Sequence, residues 1–319
     1  MRDNHLKLTF LGVLFLLVLM GRINTEKNVA TALEKKQNNI STNLVARPNL
    51  KSISKTTKVD PTFESVIALP RKNKNVINPN LEATAVYAKD LDTDYQLYYF
   101  NGNSRWPLAS LTKLMTAVIA VEKIGVDKNI DISQSAVDTE AVAGGLKVGE
   151  RYSVGELIKA MLVVSSNDAA VAIAEFYGQE NFVSEMKSKA YELGMYQTTY
   201  DDPTGISSRN QGTVSDLEKL VKYIVKKHPA LFKISAERSI NIFEQTTSTE
   251  RELLNINAYA QSRPYFLGGK TGFTDEAHGN LVTLFNYEGH KLLLIVMGTE
   301  DRFGQTDLLF NWIKKSFNF

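Results

Sequence analysis

From Leu114 to Val121 the chain reads Leu-Met-Thr-Ala-Val-Ile-Ala-Val, with Thr116 as its one polar position. A surface helix carries an apolar stripe, whereas a segment apolar on every side belongs inside. The run therefore predicts a buried helix over about 110–124, entered through a turn at Pro107. Residues 83–89 and 95–100 have strand character and flank Asp90-Leu91-Asp92-Thr93-Asp94, which predicts a hairpin. Residues 125–152 read as loop with short strands at most. Ser153-Val154-Gly155-Glu156 has capping-box spacing and opens a helix to about Val164. Asn167 or Asp168 is expected to cap the next helix, Ala169 to about Tyr177, and another covers about Phe182 to Leu193. Thr213 opens a helix that stops before His228-Pro229. Strand patterns return at about 265–272, 281–287 and 291–298, and a closing helix over 305–317 gathers Leu308, Leu309, Trp312 and Ile313 on one face. Two strands early and three late predict an α+β fold: one five-stranded antiparallel sheet made by both ends of the chain, flanked by helices, with a mainly helical middle packed on it.

The first 80 residues follow neither pattern. Arg2 and Lys7 precede an apolar run from Leu8 to Met20, too short for a span of about 20 residues and suited to the core of a signal peptide. No Ala-x-Ala site follows, so residues 1–23 read as a signal peptide or an uncleaved N-terminal membrane anchor. Either places the rest in the extracytoplasmic cell envelope, with membrane contact through residues 8–20 only. Residues 24–80 are rich in Asn, Lys, Thr and Ser, and read as a flexible polar linker. As a coil, about 55 residues reach roughly 40 Å. The globular domain is expected over 81–319.

Of the 319 residues 43% are hydrophobic and 23% charged, which suits a sizeable core. Residues 1–60 carry a net charge of +6 and the remainder −4. The globular part is thus mildly acidic and offers nucleic acid no basic face. With no cysteine, thiol catalysis and disulfides are excluded, and the four scattered histidines offer no metal-ligand spacing.

Candidate chemistry starts at Ser110 and Lys113, i and i+3 at the head of the buried helix and so on one face. Poor hydration lowers the pKa of a Lys, and a neutral amine can take a hydroxyl proton and make the oxygen a nucleophile. Ser-x-x-Lys alone is weak: it recurs at Ser52 and Ser184, both in polar stretches where Lys stays hydrated. Ser165-Ser166-Asn167 falls between two helices, and Lys270-Thr271-Gly272 ends a strand. Order, spacing and placement together are selective where each motif is not.

These segments resemble the low-molecular-mass penicillin-binding proteins, the D-alanyl-D-alanine carboxypeptidases, serine peptidases of the β-lactamase/DD-peptidase-like fold. Supporting stretches are Leu146-Lys147-Val148-Gly149-Glu150, Ser165 to Ala169, Asp202-Pro203-Thr204-Gly205 and Lys270 to Asp275. The resemblance covers about 81–319 and implies removal of the terminal D-Ala from peptidoglycan stem peptides, with β-lactams as inhibitors and no cofactor. It implies that Ser110 forms an acyl-enzyme and that Lys113 is its base. Ser165 would relay a proton to the leaving amine, and Asn167 would bind substrate amide and orient Lys113. Lys270 and Thr271, leading Gly272 and Phe273, would hold the side of the cleft that takes the substrate carboxylate, with Arg251 helping. The N–H groups of Ser110 and Phe273 would form an oxyanion hole, each donor worth about 3 kcal/mol in the transition state.

Three departures qualify the match. Phe273 stands where many relatives have His. Glu250 and Glu252 flank Arg251 and are placed to neutralise it. The family's common second β-domain and C-terminal amphipathic anchor are not expected here. A D-Ala crosslink endopeptidase, a weak β-lactamase and a non-catalytic penicillin- or peptidoglycan-binding sensor are the alternatives. His278, eight residues after Lys270, reads as a surface-turn residue rather than a triad member.

Overall fold

The computed structural model describes residues 67–319, apart from 74 and 141–143. The expected export segment and most of the expected linker lie outside the described residues. In chain order the main elements are β1 (Ala85–Asp90), β2 (Tyr95–Phe100), α1 (Lys113–Ile119), α2 (Val154–Val163), α3 (Asn167–Tyr177), α4 (Gln179–Glu192), α5 (Val214–Lys227) and α6 (Pro229–Ala236). They continue with β3 (Ser239–Phe243), β4 (Glu250–Leu254), β5 (Phe266–Thr274), β6 (His278–Tyr287), β7 (His290–Thr299) and α7 (Arg302–Ser316).

The central sheet is five-stranded, in the order β5-β6-β7-β1-β2, and every pairing is antiparallel. Both faces are covered, which is why β1 and β7 read as nearly continuous apolar runs. Successive strand residues point to opposite faces. Ala85 and Tyr87 with Leu293, Ile295 and Met297 therefore join the core under the helices. Val86 and Ala88 with Leu292, Leu294 and Val296 meet Leu309, Phe310, Trp312 and Ile313 of α7. A one-residue slip in the register that sets Leu294 opposite Ala88 would exchange the two sets.

The buried helix is present, but it is not uniform. It begins as a 3-10 turn over Ala109–Thr112, continues as α1 and ends in a π turn over Ala120–Ile124. Every residue of α1 is buried, Lys113 among them. Pro107 does not start the helix: Trp106–Pro107 instead pairs with Gln211–Gly212, because Leu108 N–H is claimed by the Asn210 carbonyl. Ser153 and Thr213 cap α2 and α5 as expected, accepting from Glu156 N and Asp216 N. The cap of α3 is Ser166 rather than Asn167 or Asp168; its hydroxyl accepts from Ala169 N at 3.1 Å. That shift leaves the Asn167 side chain available to the cleft.

Two elements escaped the periodicity reading. Helix α6 starts on Pro229, a favoured first helical position, directly after α5. Hairpin β3–β4 pairs Ile242 with Arg251 over a polar turn. Within the stretch read as linker, Arg71–Lys72 pair with Phe317–Asn318, and the Trp312 indole donates to the Ile77 carbonyl. No local pattern announces a partner more than 200 residues away. Among the described residues, no helix is long and apolar enough to cross a membrane.

Candidate active site

The turn that carries Ser110 is held by the sheet. Asn280 of β6, fully buried, donates to the carbonyls of Pro107 (2.9 Å) and Leu108 (3.1 Å), while its own oxygen accepts from Gly298 N. Ala109 then takes φ +48°, a conformation that costs an L residue about 1–3 kcal/mol and persists only where surroundings enforce it. Three residues per turn in the 3-10 segment put Ser110 and Lys113 on one line. Lys113 Nζ lies 2.9 Å from Ser110 Oγ.

Among the described residues Lys113 Nζ has two further partners, Asn167 Oδ1 at 2.5 Å and the Thr204 carbonyl at 2.8 Å. Both are pure acceptors, whereas Ser110 Oγ can donate or accept. A neutral amine has two N–H groups and one lone pair. Its N–H groups satisfy Asn167 and Thr204, and its lone pair is left for the hydroxyl of Ser110. Burial pulls the Lys113 pKa down to about 7, against the opposing charges of Asp202 and Asp168. The amine is therefore divided between its two protonation states near neutrality.

The second motif sits in the turn between α2 and α3. Ser165 has φ +62°, and its Oγ accepts from Lys270 Nζ at 2.8 Å. Lys270, on β5, is buried and also donates to the Thr271 carbonyl at 2.8 Å. Its pKa is held well below the ordinary lysine value, first by burial and then by the positive charges of Lys113 and Arg302. Gly272 lets β5 approach the turn that carries Ser110: a Cβ there would stand 3.2 Å from Ser110 N and 3.0 Å from the Leu108 carbonyl.

Ser110, Ser165, Asn167, Thr271, Gly272 and Phe273 line one cleft of about 580 Å³. Ile206, Ile256 and Val164 form an apolar part of its wall, and Glu140, Asp275 and Glu276 an acidic part. Phe273, part of that lining, is 59% exposed. Arg251 is not among the residues that line this cleft. Its guanidinium pairs with Glu150 at 3.0 Å and donates to the Gly144 carbonyl, not to the flanking Glu250 or Glu252. The physical reason lies in the hairpin: β4 alternation turns Arg251 away from its sequence neighbours. The arginine in the cleft wall is Arg302, whose Nη1 donates to the Gly272 carbonyl at 2.9 Å. Burial lowers its pKa from the usual arginine value. Arg302 lies ahead of the helix start expected at Gln305; the sequence signal for it is Asp301, a cap that accepts from Gly304 N and starts α7 at Arg302. His278 faces Glu300 at 2.8 Å, and His228 faces Glu122.

A profile described as D-alanyl-D-alanine carboxypeptidase matches residues 72–301. The chain belongs to this family. It is 30% identical over 225 residues to the D-alanyl-D-alanine carboxypeptidase DacF of Bacillus subtilis, which covers 68% of this chain and 57% of DacF. It is 28% identical to a D-alanyl-D-alanine endopeptidase of Pseudomonas aeruginosa, over 77% of this chain and 81% of the relative. The solved D-alanyl-D-alanine carboxypeptidase from Mycobacterium tuberculosis H37Rv superposes with a TM-score of 0.69 at 26% identity, over 76% of this chain and 95% of that one. This member of the family thus has the α+β fold expected of it, and the family is the one its motifs resemble. The relatives' names carry two of the activities weighed from the sequence, carboxypeptidase and endopeptidase, and the family description carries the first. The chain spans just over half the length of DacF.

Proposed function

We propose that this chain is an extracytoplasmic serine carboxypeptidase that removes the terminal D-Ala from peptidoglycan stem peptides, and that penicillins acylate the same hydroxyl. The observation that carries the reading is the partner set of Lys113: two acceptors and one hydroxyl around a buried amine with a pKa of about 7. The Ser110 proton passes to Nζ as Oγ attacks the D-Ala-D-Ala carbonyl. The developing oxyanion is met by the N–H groups of Ser110 and Phe273. Lys113 then returns the proton, through Ser165, to the leaving amine, and the C–N bond breaks. Water completes the cycle by displacing Ser110 from the acyl group. Ser165, bonded to Lys270, lies on the route from base to leaving group.

We assign the carboxylate of the departing D-Ala to the wall made by Thr271 and Arg302, with Lys270 buried behind it. We give Arg302 the place that the resemblance implied for Arg251, because Arg302 lines the cleft and Arg251 is paired with Glu150. Replacing Arg302 by Gln is expected to lower kcat/KM for an acyl-D-Ala-D-Ala peptide roughly ten- to hundredfold, the worth of one hydrogen bond to a charged group. A peptide whose C-terminus is amidated should show little further loss. Equal loss on both peptides would place Arg302 outside carboxylate binding.

The test of the reading as a whole is release of free D-Ala from a pentapeptide, with the shortened tetrapeptide as co-product in a mass spectrum. Slow, stable acylation without D-Ala release would instead identify a sensor. The endopeptidase reading has one structural observation in its favour. A second cavity of about 250 Å³, lined by Gly279 and Asp301, shares Phe273 and Arg302 with the cleft, and we read it as room for a leaving group larger than D-Ala. Faster cleavage of crosslinked dimer than of pentapeptide would favour it.

A further inference from the structure

We infer that Asp202 is a positioning residue for the acylation step: it folds the 202–210 loop so that the Thr204 carbonyl meets Lys113 Nζ, and its negative charge acts on that amine. The inference rests on Lys113 being the base.

Among the described residues the Asp202 carboxylate collects five donors. Oδ1 accepts from Thr204 N (2.6 Å), Thr204 Oγ1 (2.5 Å) and Gly205 N (2.7 Å). Oδ2 accepts from Ser207 N (3.0 Å) and Asn210 Nδ2 (2.6 Å). Only an ionised carboxylate accepts at both oxygens in this way without surrendering a site to its own proton. Asn210 is fully buried, and its oxygen turns back to accept from Asp201 N and Asp202 N. The loop is thereby rigid, and it grips the nucleophile helix on both sides of Ser110. Ahead of it, Leu108 N donates to the Asn210 carbonyl at 2.8 Å. Gly205, at φ +88°, backs onto strained Ala109 so closely that a Cβ would lie 1.9 Å from the Ala109 carbonyl oxygen. Beyond it, the Thr204 carbonyl takes Lys113, and the Pro203 carbonyl takes the Thr116 hydroxyl at 2.6 Å. The strained turn and the base are thus registered against each other by one loop, and Asp202 closes that loop.

Asp202 does not line the cleft, so it acts through Lys113 rather than on substrate. The charged groups that bear on Lys113 are Asp202 from the loop, Asp168 from α3 and Lys270 from β5. Burial favours the neutral amine, and the two carboxylates favour the ammonium. A neutral residue at 202 removes one carboxylate. The amine should then lose its proton at lower pH, while the loosened Thr204 carbonyl makes each encounter less productive.

Full-length Asp202→Asn and Asp202→Ser, with thermal melts to confirm folding, separate these effects when acylation by a fluorescent penicillin is followed against pH. The expected result is an acid limb moved about one pH unit lower, the size of a nearby opposite charge, with a plateau reduced about tenfold or more by misplacement of the base. A lowered plateau with an unmoved limb would make Asp202 a scaffold residue only and overturn the proposal. So would unchanged kinetics, or the failure of both variants to fold. If wild type and Ser110→Ala label equally, the assignment of the nucleophile falls first, an outcome distinct from an unmoved limb in an enzyme that labels through Ser110.

Discussion

Ser110→Ala is expected to abolish labelling by fluorescent penicillin and to reduce D-Ala release by about 10⁴-fold or more, the scale on which loss of a covalent nucleophile acts. The fold should survive. Ser110 lies in a 3-10 turn whose shape is set by others: Asn280 beneath Leu108, Gly272 alongside, and Gly205 against Ala109. Its hydroxyl has Lys113 as partner, and alanine removes only that hydroxyl without adding volume. Labelling that persists in the variant would show that another hydroxyl is acylated. Ser165 would be the first to examine, since among the described residues it is the other serine lining the cleft.

Lys113→Arg is expected to be almost as damaging, with acylation slowed about 10³-fold or more. It keeps the positive charge and removes the base, because a guanidinium is not deprotonated in a protein. The site is also fully buried, so the larger fork meets a packed wall. The native enzyme supplies the companion measurement. In the proposed mechanism Lys113 acts as a neutral base, and its folded pKa is depressed to about 7, chiefly by burial. The neutral fraction, and with it the acylation rate, should rise as pH increases through about 7 and level off above. Two pH units below the midpoint the rate should be about 1% of the plateau. The same shift has a consequence for stability. The unfolded chain binds this proton up to its ordinary pKa near 10.5 and the folded chain only below about 7, so stability should rise with pH between those values. A rate that stays flat through neutrality would remove Lys113 from the role of base, whatever the arginine variant does.

The fold was legible where a residue's environment follows from its neighbours in sequence. The all-round apolar character of Leu114 to Val121 announced burial, and the short, nearly continuous apolar runs of β1 and β7 announced a sheet covered on both faces. Ser153 and Thr213 announced helix starts because a cap acts over three residues. Hairpin β3–β4 and the Arg71–Lys72 strand were not legible. Their pairing partners are chosen by the rest of the fold, and a short strand carries little signal of its own. Helix α6 was hidden by its neighbour, since the proline that ends one helix also starts the next.

The candidate site divides along the same line. Ser110 and Lys113 are three residues apart, so helical geometry alone put them together. That Ser165 and Lys270 belong beside them rested on the resemblance, and the 2.8 Å between their polar atoms is a property of the folded chain. Arg251 and Arg302 show the limit most clearly. Both are single arginines beside acidic residues in the sequence; one folds against Glu150, and the other lines the cleft. The amino-acid order by itself determined the buried helix, the sheet's apolar faces and the reactive pair at the helix head, because those depend on contacts within one or two turns. Only the tertiary structure decided which cation lines the cleft, which carbonyl meets the amine and how far its pKa falls. Those depend on burial and on charges brought from distant segments, and neither exists until the chain has closed around them.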